Sequence, residues 1–251
     1  MKRNNHLLYK LAACFLTLIS FYFVSWTRKP EMLTSVQASD TAIVIYDINS
    51  VRSYLALGDS YTIGQSVPVK DRYPLQAANA LRNAGYSRLK DPEIIATSGW
   101  TTGDLLDALK DKSYMFPYDL VTLLIGVNNQ YQQGSIQQYK LQFSSLLQKS
   151  IAFAGQRPNR VIVLSIPDYS VTPFAANSDK KKIAHDIDSF NIVNKKIAES
   201  YKVNYIDVTE ESRKAANDPS LVAYDGLHFS GKEHTIWTSL LVAKMFEVLK
   251  H

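Results

Sequence analysis

The sequence predicts a three-layer α/β/α domain on a five-stranded parallel sheet, preceded by an N-terminal hydrophobic helix. Three observations point there. Five short apolar runs, 52–57, 93–97, 120–125, 160–166 and 203–208, alternate with segments of helical periodicity. The central runs are apolar at successive positions, as strands buried on both faces are. Polar or glycine-bearing turns follow them, on the edge where a parallel sheet presents its ligand crevice.

The chain opens with a basic leader. Lys2, Arg3 and Lys10 precede an uncharged stretch from Leu11 to Trp26, extended upstream by Leu7-Leu8-Tyr9. Counted from Leu7 it is about 20 residues, close to what spans a bilayer. Basic residues ahead of it predict a cytoplasmic N-terminus and export of the remainder to the periplasmic or extracellular face. Residues 1–31 are therefore expected to be a signal anchor or signal peptide. Val36-Gln37-Ala38 resembles a cleavage site, but it stands twelve residues past Trp26, which favours the uncleaved anchor. Leu11-Ala12-Ala13-Cys14 resembles a lipoprotein box, yet its apolar segment follows the cysteine instead of preceding it. Cys14 is the only cysteine, so the exported part has no disulfide and no thiolate metal site.

Residues 32–50 read as a tether, with 41–46 β-branched enough to add an edge strand. Residues 51–251 read as one domain, of a length that supports a sizeable core. Pro74 opens a helix with Leu75, Ala78 and Leu81 on one face, stopped by Gly85. A short helix is expected at 104–110. A long one at 136–153 carries Tyr139, Phe143, Leu146, Leu147 and Ile151 at burial spacing. Ile183, Ile187, Phe190, Val193 and Ile197 mark another across 180–201, and the last runs over 232–249. Right-handed crossovers between such elements give a doubly wound sheet.

Composition excludes one function class. The formal net charge is +5, but residues 1–31 hold five basic residues against Glu31, a net of +4, leaving +1 for the rest. The basicity belongs to the leader, so nucleic acid is not an expected partner.

The chemistry gathers at strand ends. Gly58-Asp59-Ser60 closes the first core run, Gly99 follows the second, Gly126-Val127-Asn128 ends the third, and Asp225-Gly226-Leu227-His228 precedes the last helix. Each fragment alone is ordinary turn chemistry. Together they supply a hydroxyl nucleophile, oxyanion donors, a carboxylate and an imidazole on one sheet edge. Ser60 is the candidate nucleophile, His228 its base and Asp225 the acid that orients the base. Candidate oxyanion donors are the Ser60 and Gly99 backbone N–H groups and the Asn128 amide. Tyr61, Trp100, Tyr131, Tyr169 and Phe174 also follow strand ends and are candidates to line an acyl or sugar pocket, with plain packing as the alternative.

These four blocks, spanning Gly58 to His228 in order, resemble the SGNH (GDSL) hydrolase family of esterase- and lipase-like bacterial enzymes. The resemblance implies a flavodoxin-like fold and metal-free hydrolysis of ester or thioester bonds. It implies Ser60, Asp225 and His228 as the triad, with Gly99 and Asn128 beside the Ser60 amide in the oxyanion hole. Two positions depart from the family pattern. Asn129 stands where an acid usually follows the asparagine, and Phe229 where proline usually follows the histidine.

Competing motifs fail on residues. No Gly-x-Ser-x-Gly elbow is present. The 226–232 stretch has phosphate-loop spacing, but Glu233 replaces the hydroxyl residue and no strand leads into it. There is no His-Glu-x-x-His. His6, His185, His234 and His251 are poorly placed as bases. The expected activity is serine esterase, acting on acyl or acetyl esters of a lipid, carbohydrate or small molecule without a cofactor. The alternatives are an envelope O-acyltransferase using the same triad and a catalytically silent glycan- or lipid-binding module.

Overall fold

The structure, a computed structural model, describes residues 50–112 and 117–250. The expected membrane segment, the tether up to residue 49 and the candidate strand at 41–46 lie outside the described residues. Among the described residues, no helix is long and apolar enough to cross a membrane.

Five strands, β1 (Tyr54–Gly58), β2 (Glu93–Ala96), β3 (Leu120–Leu124), β4 (Val161–Leu164) and β5 (Asn204–Ile206), form one sheet in the order β2-β1-β3-β4-β5. Every pairing is parallel. This is the flavodoxin order. The chain steps from β1 to β2 at one edge, then returns past β1 to β3 and continues the other way. Leu55 lies opposite Val121 and Gly58 opposite Leu124, so the reversal falls between β1 and β3. A crevice opens at such a switch point, beyond the carboxyl ends of the two strands. Both strands are buried along their whole length, which is why their sequences are apolar without alternation.

Two helical layers cover the sheet. α2 (Tyr73–Asn83) packs against α8 (Gly231–Leu249), while α5 (Ile136–Phe153) packs against α3 (Thr102–Ala108) and α6 (Lys180–Ser200). The helix ends follow from capping side chains. The Thr101 hydroxyl accepts from Asp104 N, and the Asp104 carboxylate accepts from Thr101 N, a reciprocal box that starts α3 two residues earlier than its apolar pattern suggests. Ser135 caps α5 and Asp179 caps α6 in the simpler one-way form. The expected apolar stripe of α5 is buried throughout. In α2 the buried face is shifted: Ala77 is buried beside Ala78 and Leu81, and Leu75 is half-buried.

Three short helices escaped the sequence pattern: α1 (Ser60–Ile63), α4 (Val127–Tyr131) and α7 (Thr209–Arg213). Four or five residues are too few to display a 3.6-residue period. β5 is also shorter than its apolar run, because Val208 N and Thr209 N turn to the Ser165 hydroxyl instead of continuing the ladder.

Candidate active site

The site is built from the carboxyl ends of β1 and β3 and the loop before α8. At the end of β1 the backbone turns so tightly that a Cβ on Gly58 would lie 2.1 Å from Thr62 Oγ1 and 2.3 Å from Leu124 O. Only glycine fits there. Asp59 follows, fully buried, and its Oδ1 accepts from Tyr61 N at 3.0 Å to cap α1. Burial pushes this carboxyl up to about 7, against the opposing pull of the Tyr61 N–H. Asp59 thus sets the turn. Ser60, the next residue, stands as the first residue of α1 with 5% of its surface exposed.

β3 ends in an equivalent way. Gly126 has φ +134°, and a Cβ there would meet Ile166 and Tyr139 at 2.8 Å. The turn delivers Asn128, whose Nδ2 donates to Trp100 O at 2.9 Å, leaving its second N–H for another acceptor. Asn129 is buried and faces α3. Its Oδ1 accepts from Thr102 N, and its Nδ2 donates to Thr102 Oγ1, which donates onward to Gln142 Oε1. That position needs a donor as well as an acceptor, and an ionised acid supplies only acceptors. Here lies the physical reason for one departure from the family pattern.

The loop before α8 is closed by an antiparallel bridge between Val222 and Phe229, with Ala223 N donating to His228 O at 2.7 Å. Gly226 turns the tip at φ +71°. Asp225 and His228 therefore meet inside one turn, and Asp225 Oδ2 lies 2.6 Å from His228 Nδ1. Asp225 Oδ1 accepts from Leu227 N and His228 N, both at 2.9 Å. Ser66 Oγ donates to Oδ2 at 2.6 Å. Partial burial would raise this carboxyl. The donors from Ser66, Leu227 and His228 outweigh it and hold the group well below the usual carboxylate range. An ionised Asp225 can only accept, so Nδ1 carries the proton and Nε2 is left as the basic nitrogen.

The His228 ring is held from its other side by Tyr61, edge-on at 5.9 Å between centroids. Tyr61 in turn packs on Phe229 and Trp237. Phe229 is fully buried in this aromatic stack, which is what the residue after the histidine does here in place of a proline.

Ser60, Asn128 and His228 all line one cavity of about 260 Å³. Tyr61, Val127, Tyr131, Tyr169, Phe174 and Leu227 complete its wall. Four of the five aromatic candidates from the sequence are thus at the site. Trp100 is not among the lining residues and packs partly buried against the core. Among the described residues no hydrogen bond joins the Ser60 hydroxyl to His228; catalytic contacts of this kind often tighten only in the complex with substrate. Gly99 is exposed and is not part of the cavity wall; its φ of +87°, with nothing within 4 Å of an added Cβ, shows a glycine required by conformation alone. His234 is buried, accepts from Tyr73 N and is lowered to about 3 by burial. It serves α8 packing. His185 is exposed on α6.

Comparison with known proteins places this geometry. The family profile described as GDSL-like lipase/acylhydrolase matches residues 56–236, most of the chain and all four blocks. The chain belongs to that family. Its members hydrolyse ester bonds, and the GDSL-like domain here is a serine-type ester hydrolase. Solved structures agree on the fold. An acetylxylan esterase from Geobacillus stearothermophilus is 20% identical with a TM-score of 0.59, covering 78% of this chain and 94% of its own. The psychrotrophic esterase EstA of a Pseudoalteromonas species is 16% identical at 0.57, covering 80% and 100%. A lipase/acylhydrolase from Enterococcus faecalis is 19% identical at 0.58, covering 78% and 95%. A comparison with curated protein sequences gives no match.

The sequence missed Ser66, Val127 and Leu227 as site residues. Ser66 sits in a polar loop with no pattern to mark it, and the two apolar residues look like ordinary core positions.

Proposed function

We propose that Ser60 is the nucleophile of this GDSL-like hydrolase and that its substrates are carboxylic esters with a short or medium acyl group. The observation that carries the reading is the Asp225–His228 pair, 2.6 Å apart, whose histidine lines the same cavity as Ser60 and Asn128. His228 Nε2 takes the proton from the Ser60 hydroxyl as the oxygen attacks the ester carbonyl. The oxyanion that forms is met by the free Asn128 N–H together with the Ser60 backbone N–H. Collapse expels the alcohol, which takes the proton back from His228. Water then enters, His228 removes its proton, and attack on the acyl-enzyme releases the acid and restores Ser60.

The cavity wall supports the choice of acyl group. It is chiefly aromatic and aliphatic, and at about 260 Å³ it lies just under the ~300 Å³ at which ordinary ligand clefts begin. A chain of a few to several carbons fits, whereas a palmitoyl group would extend past the rim.

The leader supports a location outside the cytoplasm. Residues 1–31 would hold the domain to the membrane, with the site on the periplasmic or extracellular side.

The test is a p-nitrophenyl ester series from acetate to palmitate with the purified domain. Activity should peak below decanoate and fall steeply towards palmitate, and Ser60→Ala should be inactive across the series. A preference for palmitate would overturn the acyl assignment, and undiminished hydrolysis by the Ser60→Ala protein would overturn the nucleophile.

A further inference from the structure

The Asp225 carboxylate has a partner that is not part of the triad. Its Oδ2 accepts two hydrogen bonds of equal length, 2.6 Å from His228 Nδ1 and 2.6 Å from Ser66 Oγ. With Leu227 N and His228 N on Oδ1, all four acceptor sites of the carboxylate are filled. Among the described residues, Ser66 is also one of four non-glycine positions with positive φ, at +62°, and the only one of them that touches this site. Holding a serine in the left-handed region costs free energy, and such residues persist where their surroundings dictate the conformation.

Those surroundings lead back to the nucleophile. The Ser60 carbonyl accepts from both Gly64 N and Gln65 N, at 3.0 and 2.9 Å, and Val67 N donates to Gly64 O. Gln65 Oε1 accepts from Ser98 Oγ, which anchors the same loop to the turn after β2. Gly64 is left-handed as well, and a Cβ there would strike Arg72 at 2.4 Å. The segment from Ser60 to Val67 is thus a folded unit whose first residue is the proposed nucleophile and whose seventh reaches the proposed acid.

We propose that Ser66 is a positioning residue, a hydroxyl clamp that ties the Asp225–His228 loop to the helix bearing Ser60. The proposal rests on the triad reading above. Besides the clamp, the loop holding acid and base meets the nucleophile's helix through packing of Tyr61 on His228 and Phe229. With the clamp, the orientation of the carboxylate toward Nδ1 is fixed from the nucleophile's own turn. The expected consequence is catalytic and specific: the ring is aimed less well at Ser60 during proton transfer, while the cavity that binds the acyl chain is unchanged.

Ser66→Gly and Ser66→Ala test it together with Ser60→Ala, using p-nitrophenyl butyrate. Glycine adopts positive φ without strain, so Ser66→Gly removes the hydroxyl and leaves the turn intact. Both Ser66 variants should lose roughly tenfold in kcat, the scale of one charge-assisted hydrogen bond, with KM within about twofold of the parent. The downfield proton resonance of His228 Nδ1–H should shift or broaden in both variants. Full kcat and an unmoved resonance in Ser66→Gly, with Ser60→Ala inactive, would overturn the clamp and leave the triad standing. A loss confined to Ser66→Ala, with Ser66→Gly at parental kcat, would also overturn it, because backbone strain would then account for the defect. Activity retained in Ser60→Ala would overturn the triad itself, an outcome distinct from either.

Discussion

Asp225 is held ionised by four hydrogen bonds, and this decides how it must act. Because its carboxyl is depressed below the usual range, the charge is present at every pH at which the fold persists near neutrality. Titration of Asp225 therefore contributes no break in activity above about pH 4. Asp225→Asn should cost roughly 10³–10⁴-fold in kcat, since an amide can turn its N–H towards Nδ1 and favour the wrong tautomer. Steady-state kinetics on the folded variant checks this. Asn129 gives a second prediction. Converting it to the family's usual acid removes the donor to Thr102 Oγ1, whose own proton is committed to Gln142. Asn129→Asp should lower stability by about 1–3 kcal/mol, read as a drop in Tm, with the triad contacts untouched.

At the scale of elements, the site depends on two elbows where strand gives way to short helix. Both turn on a glycine that no other residue can replace, Gly58 by contact and Gly126 by contact and φ together. Gly58→Ala would force its methyl against Leu124 O, which is backbone and cannot step aside. We expect it to displace Ser60 and to leave little soluble folded protein, as measured by circular dichroism and by ester turnover of whatever folds. The elements themselves were largely legible in the sequence, because apolar runs and the stripes on α5 and α6 are consequences of burial that any chain must display. The elbows were legible only as glycine-bearing turns. Their helices are too short to be periodic, so the fact that Ser60 begins a helix could not be read. The clamp from Ser66 was invisible for a related reason: a hydroxyl reaching a carboxylate 159 positions away leaves no local pattern.

At the scale of the molecule, three buried groups among the described residues, Asp59, Glu233 and His234, tie stability to pH between about 3 and 7. Burial raises Asp59 from 3.8 and Glu233 from 4.5, each to about 7, so the folded chain keeps two protons that the unfolded chain releases on passing pH 4–5. Their stabilisation is complete below those lower values and is lost as pH rises towards 7. His234 works in the opposite sense. Burial lowers it from 6.5 to about 3, so its contribution is complete above 6.5 and is lost as pH falls. Between pH 5 and 6 the folded state holds two of these protons and the unfolded state one. Stability from these groups should therefore fall by about 1.4 kcal/mol per pH unit as pH rises. Glu233 accepts from Trp237 Nε1 and leaves its other oxygen unpaired, so Glu233→Gln exchanges one neutral group for another at acid pH. That substitution should flatten the slope over this window, a change that denaturant titrations at pH 5.0, 5.5 and 6.0 resolve.

The fold order and the convergence of Ser60, Asn128, Asp225 and His228 express one arrangement, a reversal between β1 and β3 that opens a crevice above their ends. Whether that crevice performs nucleophilic ester chemistry is read most directly by a fluorophosphonate ester, which phosphonylates an activated serine and no other. Peptide mass spectrometry after labelling should find the adduct on Ser60 alone, with none in His228→Ala. An adduct on a different residue, or an unlabelled Ser60 in protein that still hydrolyses esters, would contradict it.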